Sequence, residues 1–360
     1  MPRRHGEGKE RAGFSHGAKG RVRDGAARQN RRMTTPPVPN LDAAGVSAPR
    51  FGHAPQHVLV TGGTGFVGRH LVQALRADGH AVTVWTRNAA SAARQFDPAV
   101  RCVQRLDDIP GSTGVDVVVN LAGARIVGSR WTSARQAALL KSRVGLTDTL
   151  VGWIGRRAAK PWLMLSGSAV GYYGVQPQAD ATVLTESSPP QPIFMSRLCQ
   201  AWEASAHAAA AHGVRVACLR FGMVLGHGGA LPGLLLPVKM GLGGRMGSGR
   251  QWLSWIHLQD LLRGMAHVWT EASKPGAPVD PQAWNFTAPD VLPQASFMRT
   301  AAEVLHRPFW LPVPAAPVRL LLGEQADVLI EGQRVAPARL LASGFRFRFP
   351  DARSALQDLC

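Results

Sequence analysis

Short apolar segments alternate with longer amphipathic segments over the first two thirds of the chain. Five runs are almost wholly apolar, which predicts strands buried on both faces: 57–60, 81–86, 115–121, 162–166 and 214–219. Between these runs, apolar residues recur at the spacing of an α-helix, as in 66–75, 131–158 and 194–212. Strands and helices in this alternation predict an α/β fold with a doubly wound parallel sheet, which binds its ligands at the carboxyl ends of the strands.

The alternation ends after Leu225. Residues 226–249 are hydrophobic but interrupted by Gly and Pro, and the last 55 residues contain only short strand and helix signals between prolines. This change predicts a smaller C-terminal lobe that faces the substrate. We therefore expect a nucleotide-binding Rossmann domain over 54–300, followed by a small α+β domain over 301–360.

The first 50 residues differ from the rest in composition. They hold eleven Lys and Arg against four Asp and Glu, in a segment rich in Gly, Ala and Pro without apolar periodicity. Such a segment does not bury enough apolar surface to fold, so we predict a disordered basic extension over 1–53. A transit peptide is an alternative interpretation, and translation from Met33 is another.

Net charge, cysteine usage and hydropathy limit the classes of function. The formal charge is +18, but the basic residues beyond the extension are scattered, so a nucleic-acid partner is not expected. The four cysteines have no metal-ligand spacing, which predicts no metal site. No apolar run is long enough to span a membrane, and no apolar signal segment follows the basic start. These features predict a cytoplasmic protein without a membrane partner.

A glycine-rich turn joins the first predicted strand to the first predicted helix. Glycines occur three residues apart at Gly62, Gly65 and Gly68. Gly62 allows the sharp turn, Gly65 lets a pyrophosphate approach the backbone, and Gly68 lets the helix pack closely on the strand. The N–H groups at the start of the helix, around Thr64, Phe66 and Val67, are expected to hold the phosphate charge. Because both flanking elements are present, the motif predicts a dinucleotide site.

The end of the second strand indicates which dinucleotide is bound. An acidic residue there holds the ribose of NAD, whereas an arginine accommodates the 2′-phosphate of NADP. This chain has Thr86 and Arg87 at that position. A guanidinium favours a phosphate and a carboxylate would repel it, so we predict NADP, with NAD less favoured.

Several motifs together resemble the extended short-chain dehydrogenase/reductase superfamily, the NAD(P)-dependent epimerases and dehydratases. The matching segments are 61–68, Asn120-Leu121-Ala122-Gly123, Leu165-Ser166-Gly167-Ser168-Ala169, 220–226 and 255–260. Segments 167–174, 247–251, 332–335 and 344–345 resemble more narrowly the "epimerase family protein" subgroup, which has an additional C-terminal domain. The resemblance implies that Leu121, Ala122, Gly123 and Val224 contribute to the cofactor site and that Ser168 is catalytic.

The chain departs from this superfamily at its catalytic pair. The superfamily uses a Tyr-x-x-x-Lys pair, in which the ammonium favours ionisation of the phenol and also binds the nicotinamide ribose. Only two tyrosines occur here, and neither is followed by Lys four residues later. The corresponding helix has Met195 and Cys199 at these positions, or Phe194 and Leu198 if the alignment is shifted by one residue. We predict that Tyr172 acts with Ser168 instead. The alternative is that Tyr172 and Tyr173 only pack beneath the substrate loop.

Other candidate residues have simpler interpretations. Cys199 is expected in the core, His257 as a hydrogen-bonding anchor of a loop, and Asp260 as a charge in the first turn of a helix. Three arginines are expected to be solvated, with an anionic ligand as the alternative: Arg130, Arg143 and Arg250.

Two functions follow from these observations. The first is an NADP-dependent oxidoreductase or epimerase that acts on an unknown small polar substrate without the usual dyad. The second is a non-catalytic NADP-binding regulatory or sensor protein, for which the resemblance to plastid and cyanobacterial members implies a link to division.

Overall fold

The computed structural model describes residues 49–126, 131–312 and 332–360. The strands are β1 (His57–Thr61), β2 (Ala81–Trp85), β3 (Arg101–Val103), β4 (Val117–Asn120), β5 (Leu163–Ala169), β6 (Arg215–Phe221), β7 (Met223–Leu225), β8 (Trp252–Leu253), β9 (Trp255–His257), β10 (Gln282–Phe286) and β11 (Leu292–Pro293). The helices are α1 (Phe66–Ala77), α2 (Ala89–Ala93), α3 (Ser133–Leu140), α4 (Leu146–Arg156), α5 (Phe194–His207), α6 (Leu231–Lys239), α7 (Leu258–Ser273), α8 (Gln294–Val304), α9 (Ala338–Ala342) and α10 (Ala352–Leu359). Residues 1–48, which contain most of the predicted extension, and Arg130 lie outside the described residues.

The central sheet has the order β3-β2-β1-β4-β5-β6-β10, and all neighbouring strands are parallel. Successive residues of β1 face opposite sides: Val58 and Val60 join a core that contains residues of α1 and α7, whereas Leu59 joins a core that contains residues of α4. Helices thus cover both faces, which confirms the predicted doubly wound α/β fold. The sheet carries the carboxyl ends of β1, β2, β4 and β5 to one edge.

Residues after β6 build a third hydrophobic core. It joins Leu235 of α6, Phe297 of α8 and Leu356 of α10. The sequence pattern did not indicate α6, because prolines interrupt it. Pro232 lies in the first turn, where a missing N–H costs little, and Pro237 lies inside the helix.

The predicted domain boundaries can be placed on this structure. The boundary between residues 300 and 301 falls inside α8, and Phe51, which was assigned to the extension, is buried against Trp269 of α7 with ring centroids 5.8 Å apart. The backbone N–H of Phe51 also donates a hydrogen bond to Asp78. Phe51 is therefore part of the packed structure.

Asp260 connects α7 to the C-terminal segment. Its carboxylate is fully buried and accepts hydrogen bonds of 2.8 Å from the backbone N–H groups of both Arg348 and Phe349. Arg263 pairs with the same carboxylate at 2.7 Å. Asp260 lies in the first turn of α7 as predicted, but it also holds the segment that leads into α10.

A search for membrane-spanning segments among the described helices found none that is both long enough and apolar enough.

The close packing of α1 on the glycine turn predicts a specific loss of stability. A Cβ atom at Gly68 would overlap the carbonyl oxygen of Gly62, so we expect Gly68→Ala to lower the free energy of unfolding by about 1–3 kcal/mol in urea denaturation. Gly152→Ala in α4 is the matched control, because its Cβ would meet only Arg156 at an ordinary 3.6 Å. That helical substitution should be neutral or stabilising by up to about 1 kcal/mol. Equal effects of the two variants would contradict the steric explanation.

Candidate functional site

The glycine turn connects β1 to α1 with little space for side chains. Gly62 adopts a φ of 69°, and a Cβ there would lie 2.7 Å from the carbonyl group of Leu121. The N–H of Gly65 donates to the carbonyl oxygen of Gly62 at 2.9 Å, which closes the turn. The turn therefore requires glycine and lies directly against the carboxyl end of β4.

The N-terminus of α1 is open. Gly65 is the N-cap, no side chain caps the helix, and its first turn contains no acidic residue. Thr64 and Gly65 are exposed, and Val67 is half-buried. The half-buried Phe66 ring is covered by the loop 226–229, where a Cβ at Gly226 would lie 2.7 Å from it. Uncapped N–H groups at a helix start, free of carboxylates, suit an anionic ligand.

The end of β2 presents a free cation. The backbone N–H of Thr86 donates to the carbonyl oxygen of Val103 at 3.0 Å, and the Gln104 side chain donates to the carbonyl oxygen of Arg87 at 2.8 Å. These bonds hold the backbone of both residues. The Arg87 side chain is exposed and, within the described ranges, makes no hydrogen bond or ion pair.

A buried polar network holds the segment after β4. The Thr61 hydroxyl donates to Asn120 Oδ1 at 2.7 Å and accepts from the N–H groups of Leu121 and Ala122 at 3.1 Å. Asn120 Nδ2 donates to Thr147 Oγ1 at 2.9 Å. Residues 121–123 are therefore fixed beside the glycine turn. Val224 of β7 pairs with Ile256 of β9 and is half-buried.

Ser168, at the carboxyl end of β5, belongs to a buried ionic network. Its hydroxyl donates to Glu203 Oε1 at 2.6 Å. Arg220 of β6 donates through Nε and Nη2 to the two oxygens of the same carboxylate, each at 2.8 Å. Both charged side chains are about 95% buried. The Ser168 proton is therefore engaged, and its oxygen remains able to accept a hydrogen bond.

The two tyrosines that follow β5 have different surroundings. Tyr173 is buried, and its hydroxyl donates to Asn285 Oδ1 at 2.7 Å and accepts from Arg220 Nη1 at 2.9 Å. Burial raises the pKa of Tyr173 to about 12. Tyr172 is half-buried, with its ring centroid 3.4 Å from Arg220 Cζ. Among the described residues its hydroxyl has no hydrogen-bond partner. Tyr173 is thus held in the buried network, whereas Tyr172 packs through its ring and leaves its hydroxyl unbonded within the described ranges.

On either alignment, the residues at the positions of the superfamily's Tyr and Lys lie in or against one small core cluster. Met195 lies beneath the turn at 170–173, where a Cβ at Gly171 would be 3.0 Å from Met195 Cε. Cys199 is buried as predicted, and burial raises the pKa of its thiol to about 12. Both side chains belong to a small cluster against which Tyr172 and Ala124 also pack. Neither residue is placed to transfer a proton.

Sequence reasoning did not identify Glu203, Arg220 or Asn285 as parts of this network. Arg220 lies between Leu219 and Phe221 in a strand that is otherwise almost wholly buried. Glu203 lies beside Trp202 on the buried face of α5. A charged residue within an apolar pattern was the available signal, since such charges are rarely buried without a partner.

The remaining candidates have mixed outcomes. His257 caps α7 by accepting from the N–H of Gln259 at 3.1 Å, as its predicted anchoring role requires, and burial lowers its pKa to about 4. Arg250 is exposed. The prediction that Arg143 is solvated is wrong, because only 6% of the residue is exposed. Arg143 lies in a π-helical turn, Lys141–Gly145, and the sequence pattern does not indicate that this turn directs its side chain into the protein.

Within the described ranges, neither a metal-ligand cluster nor a cavity at the far edge of the sheet contributes to the site. No group of three or more His, Cys, Asp or Glu side chains is arranged to hold a metal ion there. A cavity of about 500 Å³ lies near Leu163, Arg215 and Gln282, at the amino ends of β5, β6 and β10. That edge of the sheet is opposite the glycine turn.

The buried ion pair predicts a large effect of a single substitution. Glu203→Gln leaves Arg220 buried without its counter-charge, so we expect a loss of about 3–5 kcal/mol in the free energy of unfolding, measured by urea denaturation. Glu303→Gln removes one partner of the exposed pair with Arg353 and should cost less than about 1 kcal/mol. The double variant Glu203→Leu/Arg220→Met should recover part of the loss. A Glu203→Gln variant as stable as Glu303→Gln would contradict the prediction.

Comparisons with known proteins agree with this geometry. Residues 58–284 match the NAD dependent epimerase/dehydratase family, and residues 313–359 match a domain of unknown function, DUF1731. The chain is 39% identical to epimerase family protein SSP1921 of Staphylococcus saprophyticus and 36% identical to epimerase family protein YfhF of Bacillus subtilis, in each case over 84% of this chain and 99% or 97% of the relative. A crystal structure of human epimerase family protein SDR39U1 (isoform 2) with NADPH is similar, with 33% identity, a TM-score of 0.72, and coverage of 84% of this chain and 98% of that one. The first match spans more than half of the sequence, and the chain belongs to the NAD dependent epimerase/dehydratase family.

Proposed function

We propose that this protein binds NADP and transfers a hydride to or from a small polar substrate, as an oxidoreductase or epimerase of the cytoplasm. The observation that carries the proposal is the open start of α1 beside the glycine turn, with the free Arg87 guanidinium at the end of β2. The NADPH in the structure of the similar human protein supports the choice of cofactor.

The residues present fit a dinucleotide. A Cβ at Gly65 would lie 3.1 Å from the Gly62 carbonyl oxygen, so the turn exposes bare backbone at this position. In this proposal the turn, with Thr64, Phe66 and Val67, holds the pyrophosphate. Thr86 and Arg87 hold the 2′-phosphate, and residues 121–123 with Val224 complete the site.

The bound cofactor would supply a hydride, and the protein's part is to position the substrate and exchange a proton with it. We assign proton exchange to Tyr172, because its hydroxyl is free while Arg220 fixes the ring from below. The Ser168 hydroxyl donates its hydrogen bond to Glu203, so its oxygen is available to accept one. We therefore propose that Ser168 orients a hydroxyl group of the substrate.

One observation favours the alternative of a non-catalytic NADP-binding regulator or sensor. The helix that bears the superfamily's catalytic pair has only the buried Met195 and Cys199 at those positions. A protein that binds NADP but exchanges no proton would have no need of a titratable pair there. The two functions differ in turnover and not in cofactor binding.

Charge reversal at Arg87 tests the cofactor. We expect Arg87→Asp to weaken NADPH binding by about 10- to 100-fold, because charge-assisted hydrogen bonds to the 2′-phosphate are lost, and to leave NADH binding unchanged or stronger. Fluorescence titration measures both affinities. Arg94→Asp, at another exposed arginine next to α2, is the control and should change neither by more than about twofold. Equal affinity of the unaltered protein for NADPH and NADH would contradict the assignment.

Removal of one hydroxyl group tests the chemistry. With any carbonyl compound that the protein reduces, we expect Tyr172→Phe to lower kcat by about 10²- to 10⁴-fold while NADPH affinity stays within about twofold. NADPH absorbance measures the rate, and a panel of carbonyl compounds provides candidate substrates. Tyr173→Phe should instead lower the stability by about 1–3 kcal/mol, because it leaves buried partners unpaired.

Two outcomes would count against the catalytic assignment. Full activity of Tyr172→Phe would exclude its phenol as the proton donor. NADPH binding without oxidation by any compound of the panel would favour the regulator.

A further inference from the structure

Arg143 is a buried cation without a counter-ion. Only 6% of it is exposed, and no carboxylate within the described ranges lies within 4.0 Å of it. Its Nη2 donates to the carbonyl oxygen of Ala124 at 3.0 Å, its Nη1 reaches Ser142 Oγ at a long 3.4 Å, and its Nε has no partner. The Trp202 ring lies 5.2 Å from Cζ.

This arrangement is unfavourable in the absence of a ligand. A charge transferred from water to the interior loses its hydration, and only a counter-charge or a full set of hydrogen bonds offsets the loss. Arg220, buried to a similar degree, has the Glu203 carboxylate for this purpose. Burial lowers the pKa of Arg143, yet a guanidinium remains charged at neutral pH. An uncompensated cation of this kind indicates a binding role.

The guanidinium lies at the edge of the proposed cofactor site. A Cβ at Gly123 would be 2.9 Å from Arg143 Cζ, so only glycine lets the segment after β4 lie on the guanidinium. The same segment contacts Gly62 of the glycine turn. Burial raises the pKa of the Cys199 thiol in α5, and the charge of Arg143 opposes this rise. The π-helical turn between α3 and α4 places Arg143 there, and such turns often occur at functional sites.

We propose that Arg143 binds the ribose hydroxyl groups of the nicotinamide half of NADP and so provides the cation that α5 lacks. The inference rests on the proposed function. The pyrophosphate is already assigned to α1 and the 2′-phosphate to Arg87, which leaves the ribose oxygens as acceptors for the weakly engaged Nη1. Ala124, which accepts from Arg143, packs on the same cluster as Tyr172. Arg143 therefore belongs to the end of the site at which the chemistry is proposed.

Two ligands and two variants test the proposal by isothermal titration calorimetry. NADPH contains both halves of the cofactor, whereas adenosine 2′,5′-bisphosphate contains only the adenine half. We expect Arg143→Gln to raise the Kd for NADPH by about 10- to 100-fold and to leave the Kd for the bisphosphate within about twofold. Arg143→Lys keeps the charge but loses the planar fork, so its Kd for NADPH should rise by about three- to tenfold only.

The stability of the unliganded variants separates binding from a structural role. Because the buried charge is uncompensated, Arg143→Gln should unfold at a urea concentration equal to or higher than that of the unaltered protein. If Arg143 only supports the segment after β4, this midpoint falls and both ligands weaken equally, which overturns the proposal. Unchanged NADPH affinity in Arg143→Gln also overturns it. An unaltered protein that binds neither ligand would refute the proposed function itself, before any variant is compared.

Discussion

The ion pair between Glu203 and Arg220 is the interaction on which the candidate active site depends. It joins α5 to β6 inside the protein, where a charge without its partner is strongly unfavourable. From this pair, hydrogen bonds extend to Ser168 at the end of β5 and, through Tyr173, to Asn285 of β10. The ring of Tyr172 lies on the same guanidinium. Three neighbouring strands and one helix are thus held in register by groups that also define the surroundings of both predicted catalytic residues.

The glycine turn and this network contribute different chemical groups to the site. The turn offers backbone N–H groups and, apart from Thr64, no side chains, which suits a ligand recognised by charge and shape. The network offers side chains whose protons are already assigned, apart from the Tyr172 hydroxyl. Under the proposed function, this hydroxyl is therefore the group to which proton exchange is assigned.

Local sequence patterns predicted the sheet and the glycine turn because the interactions that form them are close in sequence or repeat regularly. The strands are apolar runs, and Gly62, Gly65 and Gly68 follow directly from the backbone path that the turn requires. Contacts between distant segments were beyond this reasoning: Ser168 meets Glu203 across 35 residues, and Asp260 meets Phe349 across 89. Arg143 was expected in solvent because a π-helical turn shifts the helical register, and α6 was not expected because Pro237 lies within it.

The contact between Phe66 and the loop 226–229 has a mechanical consequence. Glycines line the loop at 226, 228 and 229, and a Cβ at any of them would lie 2.7–2.8 Å from the ring. Phe66, the first residue of α1, is therefore in tight van der Waals contact with the chain that leads into α6, which begins at Leu231. A displacement of Phe66 must move this loop, and with it the helix whose Leu235 packs in the smaller core. The position of the start of α1 is thereby coupled to the position of α6, so a displacement of one requires a displacement of the other.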